Sequence, residues 1–278
     1  MAVLVQPRSV PASAADNILI DKADPADFFR RNRFRYLRQH TDERFVSAAA
    51  TLYVGEWTAQ LSAIRTLAHI ADVSAPAPRQ RCIDILCGYL RLPRRPGLID
   101  LHDRAVRRAI VTVIADRVRR GARRSWSRAT FDFRGAHLED ADFTAAVFRG
   151  PVVFEHATLA GTTRFDSAIF GSEIHFQMAA FDTAWFRDAQ FADSARFFGA
   201  RFHSARFDGA TFRVAAQFPL TVFSDYAGFR RTAFRGPAYF DSARFHGATD
   251  FSAARFTVPV HFDGATFTMS SRQACRAG

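Results

Sequence analysis

Between Phe133 and Phe267 a large apolar residue recurs every five or six positions, giving 26 centres of which 24 are Phe and two are Leu138 and Leu159. Two places before each centre stands Ala in 18 cases, and otherwise mostly Thr, Val or Ile. Helices repeat a face every 3.6 residues and strands every two, so a period of five fits neither. It suits a chain that turns a corner every five residues. Four such sides close a coil, and stacked coils pair backbone with backbone. The centre and the small residue then point inward, and the residues flanking the centre point outward. Each buried Phe contributes roughly 1.5–3 kcal/mol. No single coil covers its own edges, so stability is shared between neighbours.

The spacing also sets a register. Grouping centres in fours gives a first-face column of Phe133, Phe154, Phe176, Phe197, Phe218, Phe240 and Phe262, each after the first reached by a six-residue step. One corner is thus enlarged in every coil, with Pro151, Pro237 and Pro259 at the same offset in it. A second corner is enlarged only before Phe165, Phe229 and Phe251. Coils are 21 or 22 residues long, and 26 centres make six and a half of them. At an inter-strand spacing of roughly 4.8 Å the rod is about 30 Å long.

Outward residues fall into columns. His175, Arg196, Tyr239 and His261 precede first-face centres. Arg164, Trp185 and Arg206 precede third-face centres, and Asp166, Arg187, Asp208 and Arg230 follow them. The alternating charges are expected to pair across coils. The Arg164, Trp185, Arg206 column is expected to stack as cation and ring. Exposed Trp and Arg are also what protein interfaces use as anchors. Trp185, Arg164, Arg206, Tyr239, His175, Arg196 and His261 are therefore the candidate protein-binding residues.

The first half reads differently. Residues 1–22 form a loose arm, residues 23–128 a small α-helical domain, residues 129–269 the coiled repeat and residues 270–278 a tail. Asp24-Pro25-Ala26-Asp27 is a helix start, and the helix that follows carries Phe28, Phe34, Leu37 and Phe45 towards a stop near Gly55. Further helices are expected over about 56–72, 79–92 and 100–120, separated by the proline-rich run at 74–78 and by Pro93 and Pro96. The fold class is α+β in sequence order.

The net charge of +11 lies wholly in residues 1–130, because residues 131–278 hold 15 Arg against 15 acidic residues. Twelve arginines fall in residues 91–128. Arg104, Arg107 and Arg108 on the fourth helix, with Arg119, are candidate anion-binding residues for nucleic acid or a membrane surface. A solvated helix face explains the same residues, and no aromatic is interleaved for base stacking.

The Ala-x-Phe-x-x units resemble the repeats of pentapeptide-repeat proteins. The front half is similar to the helical region of actinobacterial-type members, through Glu43-Arg44-Phe45, Arg65-Thr66-Leu67-Ala68-His69-Ile70-Ala71 and Leu86-Cys87-Gly88-Tyr89-Leu90-Arg91. The resemblance implies a right-handed quadrilateral β-helix behind helices. It also implies protein contact as the mode of action, and for some relatives DNA mimicry towards a topoisomerase (gyrase). Mimicry calls for an acidic rod, and this rod is charge-balanced.

No phosphate-cradling glycine loop, nucleophile elbow or paired-histidine metal motif occurs. His102-Asp103 stands alone on a helix start. Cys82, Cys87 and Cys275 form neither a disulfide framework nor a zinc spacing and fit a reducing compartment. Neither a signal peptide nor a spanning segment is expected, which points to the cytoplasm. The sequence thus predicts a non-enzyme without metal or cofactor. It is expected to act as a rigid protein-binding scaffold, and the open edges after Phe267 are expected to allow a homodimer through the last coil.

Overall fold

A computed structural model describes residues 42–94 and 100–268. The expected arm, the helix start at Asp24 with Phe28, Phe34 and Leu37, the tail and Cys275 lie outside the described residues. The described residues from Glu43 onward form one compact unit.

Among the described residues four helices come first: α1 over residues 42–54, α2 over Trp57–Val73, α3 over Pro76–Leu90 and α4 over Leu101–Val118. Gly55 follows α1 as expected. The third helix starts three residues before the expected position. The proline-rich run ends α2, but Pro76 also occupies the first turn of α3, where a missing N–H costs nothing. Asp100 caps α4 by accepting from the backbone N–H groups of His102 and Asp103. Cys82 and Cys87 are free and buried on α3 among apolar neighbours.

The second half is a parallel β-solenoid with four sides. The first face is a seven-stranded sheet running from Phe131–Asp132 to Val260–His261. The fourth face is a six-stranded sheet running from Val147–Phe148 to Arg255–Phe256. The second and third faces share one sheet, because strands such as Ala180–Trp185 and Arg201–Arg206 run through the corner between them. Each coil donates to the next: Phe176 N–H to Arg196 C=O at 2.8 Å, and Phe197 N–H to Gln217 C=O at 2.7 Å.

The two enlarged corners behave differently. The constant one lies between the fourth and first faces. The occasional one lies between the second and third faces, where the extra residue becomes a β-bulge. Pairing shifts register between Leu159 and Thr162, and between Phe202 and Ser204 opposite Tyr226. These shifts match the six-residue steps before Phe165 and Phe229. In the same corner a Cβ on Gly247 would collide with the Asp225 carbonyl oxygen, so only glycine fits. The other two corners turn through the left-handed region, at Met178, Leu220 and Ser242 on one and Ser167, Asp188 and Arg231 on the other.

Rings fill the interior. Along a column they stack nearly parallel, as in Phe186 on Phe207 at 4.8 Å and 1°, and Phe197 on Phe218 at 4.6 Å and 2°. Between opposite faces they meet edge to face, as in Phe197 against Phe207 at 5.5 Å and 84°. Both are favoured arrangements for rings with a negative face and positive rim. Four inward small positions hold Thr, and three of these are buried. Thr221 and Thr232 donate their hydroxyls to the Phe197 and Phe207 carbonyls of the preceding coil, whereas the buried Thr163 hydroxyl has no partner.

Helices and solenoid share one apolar core. The first coil's open edge meets side chains from the helices. Gln80 on α3 both donates to and accepts from the Thr130 backbone. Arg91 bonds the Asp132 carboxylate. Asp72 at the end of α2 binds Arg117 bidentately at 2.9 Å and accepts from the buried Trp126 indole at 3.0 Å.

Phe197→Ala, in mid-rod, is expected to cost about 3–5 kcal/mol, because the cavity is walled by fixed rings. Phe267→Ala removes a ring that is 45% exposed and should cost clearly less; urea titrations of the two variants compare them. A second outcome concerns alkali. Burial pushes the Cys82 thiol up to about 11 and the Cys87 thiol up to about 12, from 9.0. Above pH 9.0 the unfolded chain releases these protons and the folded chain keeps them, so stability falls as pH rises through this window. Denaturation midpoints measured from pH 8 to pH 11 should fall less steeply in Cys82→Ala/Cys87→Ala.

Candidate functional site

Outward side chains on the first and third faces, and the arginines of α4, make up the candidate sites. The third face carries the densest cluster. The Arg164 guanidinium lies over the Trp185 ring at 4.7 Å, and Arg187 lies over the same ring at 4.4 Å. Arg187 also binds Asp166 through two hydrogen bonds of 3.0 and 2.8 Å. The hydrogen bond to Asp166 raises the guanidinium pKa above its ordinary value, and the paired hydrogen bonds hold the cation over the ring.

The predicted Arg164, Trp185, Arg206 stack is corrected in one member. Arg206 lies over Tyr226 at 5.0 Å, and the second cation on Trp185 is Arg187. The bulge explains the change. An extra residue in the corner before Phe229 places Tyr226 opposite Ser204, beside Arg206. The alternating-charge ladder is likewise partial. Asp166 pairs with the Arg187 side chain, but Asp208 accepts from the Arg230 backbone N–H at 3.1 Å.

On the first face, His175 sits 3.8 Å from a Glu155 oxygen and 3.3 Å from a Glu173 oxygen. Glu173 also pairs with Arg196. Tyr239 stacks on His261 at 4.9 Å and 18°, which the shared column predicts. His175, Arg196 and these two rings lie on one face but form two separate groups along it.

The α4 arginines do not act as one face. Arg107 is buried, 5% exposed, and donates to Asp103 at 2.7 Å and to the Leu90 and Leu92 carbonyls at 2.7 and 2.9 Å. Arg104 pairs with Glu139 of the first coil at 2.8 Å. Arg119 is 3.8 Å from Asp116. Only Arg108 of the four is exposed without a partner among the described residues. His102, read as a solitary histidine, stacks on the Trp57 ring at 5.2 Å and 3°. Among the described residues no cluster of His, Cys, Asp and Glu could hold a metal ion, and no helix is long and apolar enough to cross a membrane.

Sequence reasoning missed Tyr226 and the second role of Arg187. The six-residue step before Phe229 was the available signal for Tyr226, since an extra corner residue must project somewhere.

A family model described as pentapeptide repeats (nine copies) matches residues 143–190 and 229–271. The match falls on the stacked coils, and the segment between its two parts continues the same columns without a break. The chain thus carries pentapeptide repeats in its solenoid, with helices ahead of them. No curated protein and no solved structure matches the chain.

Arg107→Ala is expected to cost about 2–4 kcal/mol, because it leaves the Asp103 carboxylate and two carbonyls short of a buried donor. Arg108→Ala should stay within about 0.5 kcal/mol of the parent. Thermal melts of the two variants make the comparison.

Proposed function

We propose that the chain is a non-enzymatic scaffold that binds another protein through the third face of its solenoid. The observation that carries this is the pair of outward rings, Trp185 and Tyr226, each held beneath arginine on a backbone hydrogen-bonded to both neighbouring coils. Trp, Tyr and Arg are the residues that supply most interface energy. Their geometry is already fixed, so association loses little side-chain freedom. A pentapeptide-repeat solenoid offers such faces without any further ordering. The first-face pair Tyr239 and His261 is a lesser contact of the same kind. A DNA mimic needs continuous negative charge, and Arg164, Arg187 and Arg206 on the third face count against it.

The last coil supports a homodimer as a second mode of contact. Phe256 and Phe267 in it are 36% and 45% exposed, whereas mid-rod rings in the same columns are buried.

Affinity capture from a lysate of the source organism tests the third face. A protein retained by the parent and by the second-face control Arg201→Ala/Arg244→Ala should be retained at least about tenfold less by Trp185→Ala/Tyr226→Ala, a loss of about 1.4 kcal/mol. Equal retention by all three rejects this face. For the dimer, light scattering should give a mass that rises with concentration in the parent and not in Phe267→Asp. A constant monomer mass in the parent rejects it.

A further inference from the structure

The rod's 13 arginines and 15 acidic residues are not evenly distributed around it. Twelve residues flank the six fourth-face centres, from Val147 and Arg149 to Arg255 and Thr257, and they include four Arg and no Asp or Glu. Arg149, Arg213, Arg235 and Arg255 are all exposed, and none has an ion-pair partner among the described residues. Arg213 and Arg235 occupy the same offset in adjacent coils, since Phe212 pairs with Phe234. Like charges placed so are destabilising unless something negative covers them.

The face continues at its N-terminal end into the turn after α4. There the Arg149 and Gly150 N–H groups donate to the Ser127 carbonyl, and Arg120 N–H donates to the Ala145 carbonyl. This packing makes a recess lined by Arg79, Arg119, Arg120, Arg128 and Arg149, with no acidic residue in its lining. Arg79 and Arg119 are engaged within the protein. Arg120 and Arg128 have no partner among the described residues. The acidic residues on the flanking corners are partly engaged already. Asp166 holds Arg187, Glu173 holds Arg196, and Asp193 accepts from Ser194 N–H.

We infer that the fourth face and this recess form a docking surface for the phosphate backbone of double-stranded nucleic acid. Charge complementarity carries the assignment: six unpartnered arginines, Arg120, Arg128, Arg149, Arg213, Arg235 and Arg255, lie along one acid-free edge. They form two groups, with Arg149 and Arg213 three coils apart, roughly 14 Å at a 4.8 Å strand spacing. Arg149, Arg213 and Arg235 share one column and Arg255 stands in the column on the other side of the rings, and such a rigid array of cations fits a regular array of phosphates. The strand-flanking positions of the face contain no aromatic residue, so stacking on unpaired bases is not available and the duplex is favoured over a single strand. Contacts to phosphates alone give binding without sequence preference.

Fluorescence anisotropy with a labelled 20-base-pair duplex of arbitrary sequence tests this on the full chain. With six phosphate contacts, affinity should weaken about 10³-fold between 50 and 200 mM salt. Arg213→Gln/Arg235→Gln/Arg255→Gln should lower the slope of log affinity against log salt by about 2.7. Arg120→Gln/Arg128→Gln/Arg149→Gln should do the same, while the third-face control Arg164→Gln/Arg206→Gln should leave it unchanged. All six side chains are exposed, and melting curves identify any variant that has lost its fold. No anisotropy change in the parent up to about 100 μM at 50 mM salt overturns the proposal. So does binding that all the variants retain, or sedimentation with phosphatidylserine vesicles in the absence of duplex binding.

Discussion

Everything in the solenoid depends on the register between one coil and the next. Parallel backbone pairing fixes the rise, and a ring stack fixes the rotation, since Phe197 can lie flat on both Phe176 and Phe218 only if coils repeat without drift. Neither interaction suffices alone. Two-residue strands such as Ala195–Arg196 are too short to hold a sheet by themselves. Rings without a pairing ladder would have no reason to prefer one stacking partner. Combined, they make a rod whose outward residues are held in place by its interior.

The helices matter because such a rod begins with an unsatisfied edge. Polar side chains meet that edge here. Gln80 imitates a strand by bonding Thr130 in both directions, while Arg91 and Arg104 meet Asp132 and Glu139. Several arginines that look like a ligand surface in the sequence are thus part of the cap. Arg107, buried beneath α4, holds the carbonyls at the end of α3.

The four-sided coil, its six and a half turns and its enlarged corners were legible in the sequence because each inward ring is a separate marker and spacing alone locates corners. Outward pairings were less legible. A guanidinium can reach several rings, so the choice of Arg187 rather than Arg206 for Trp185 depended on a bulge one coil away. The α4 arginines were misjudged as a group for a related reason. Helical spacing says which residues share a side but not whether that side faces water or another element, and Arg107 faces α3. The charge of the fourth face was hidden by summation, since a balanced total conceals an unbalanced arrangement.

The bulged corner has a consequence for how such a chain can change over generations. Three corners are committed: two turn through left-handed residues and one is enlarged in every coil. The corner between the second and third faces alone varies in length, and the strands beside it take up the extra residue without moving a ring. Single-residue insertions and deletions are therefore tolerated at that one edge, whereas elsewhere the rod can lengthen or shorten only by duplication or loss of a whole coil.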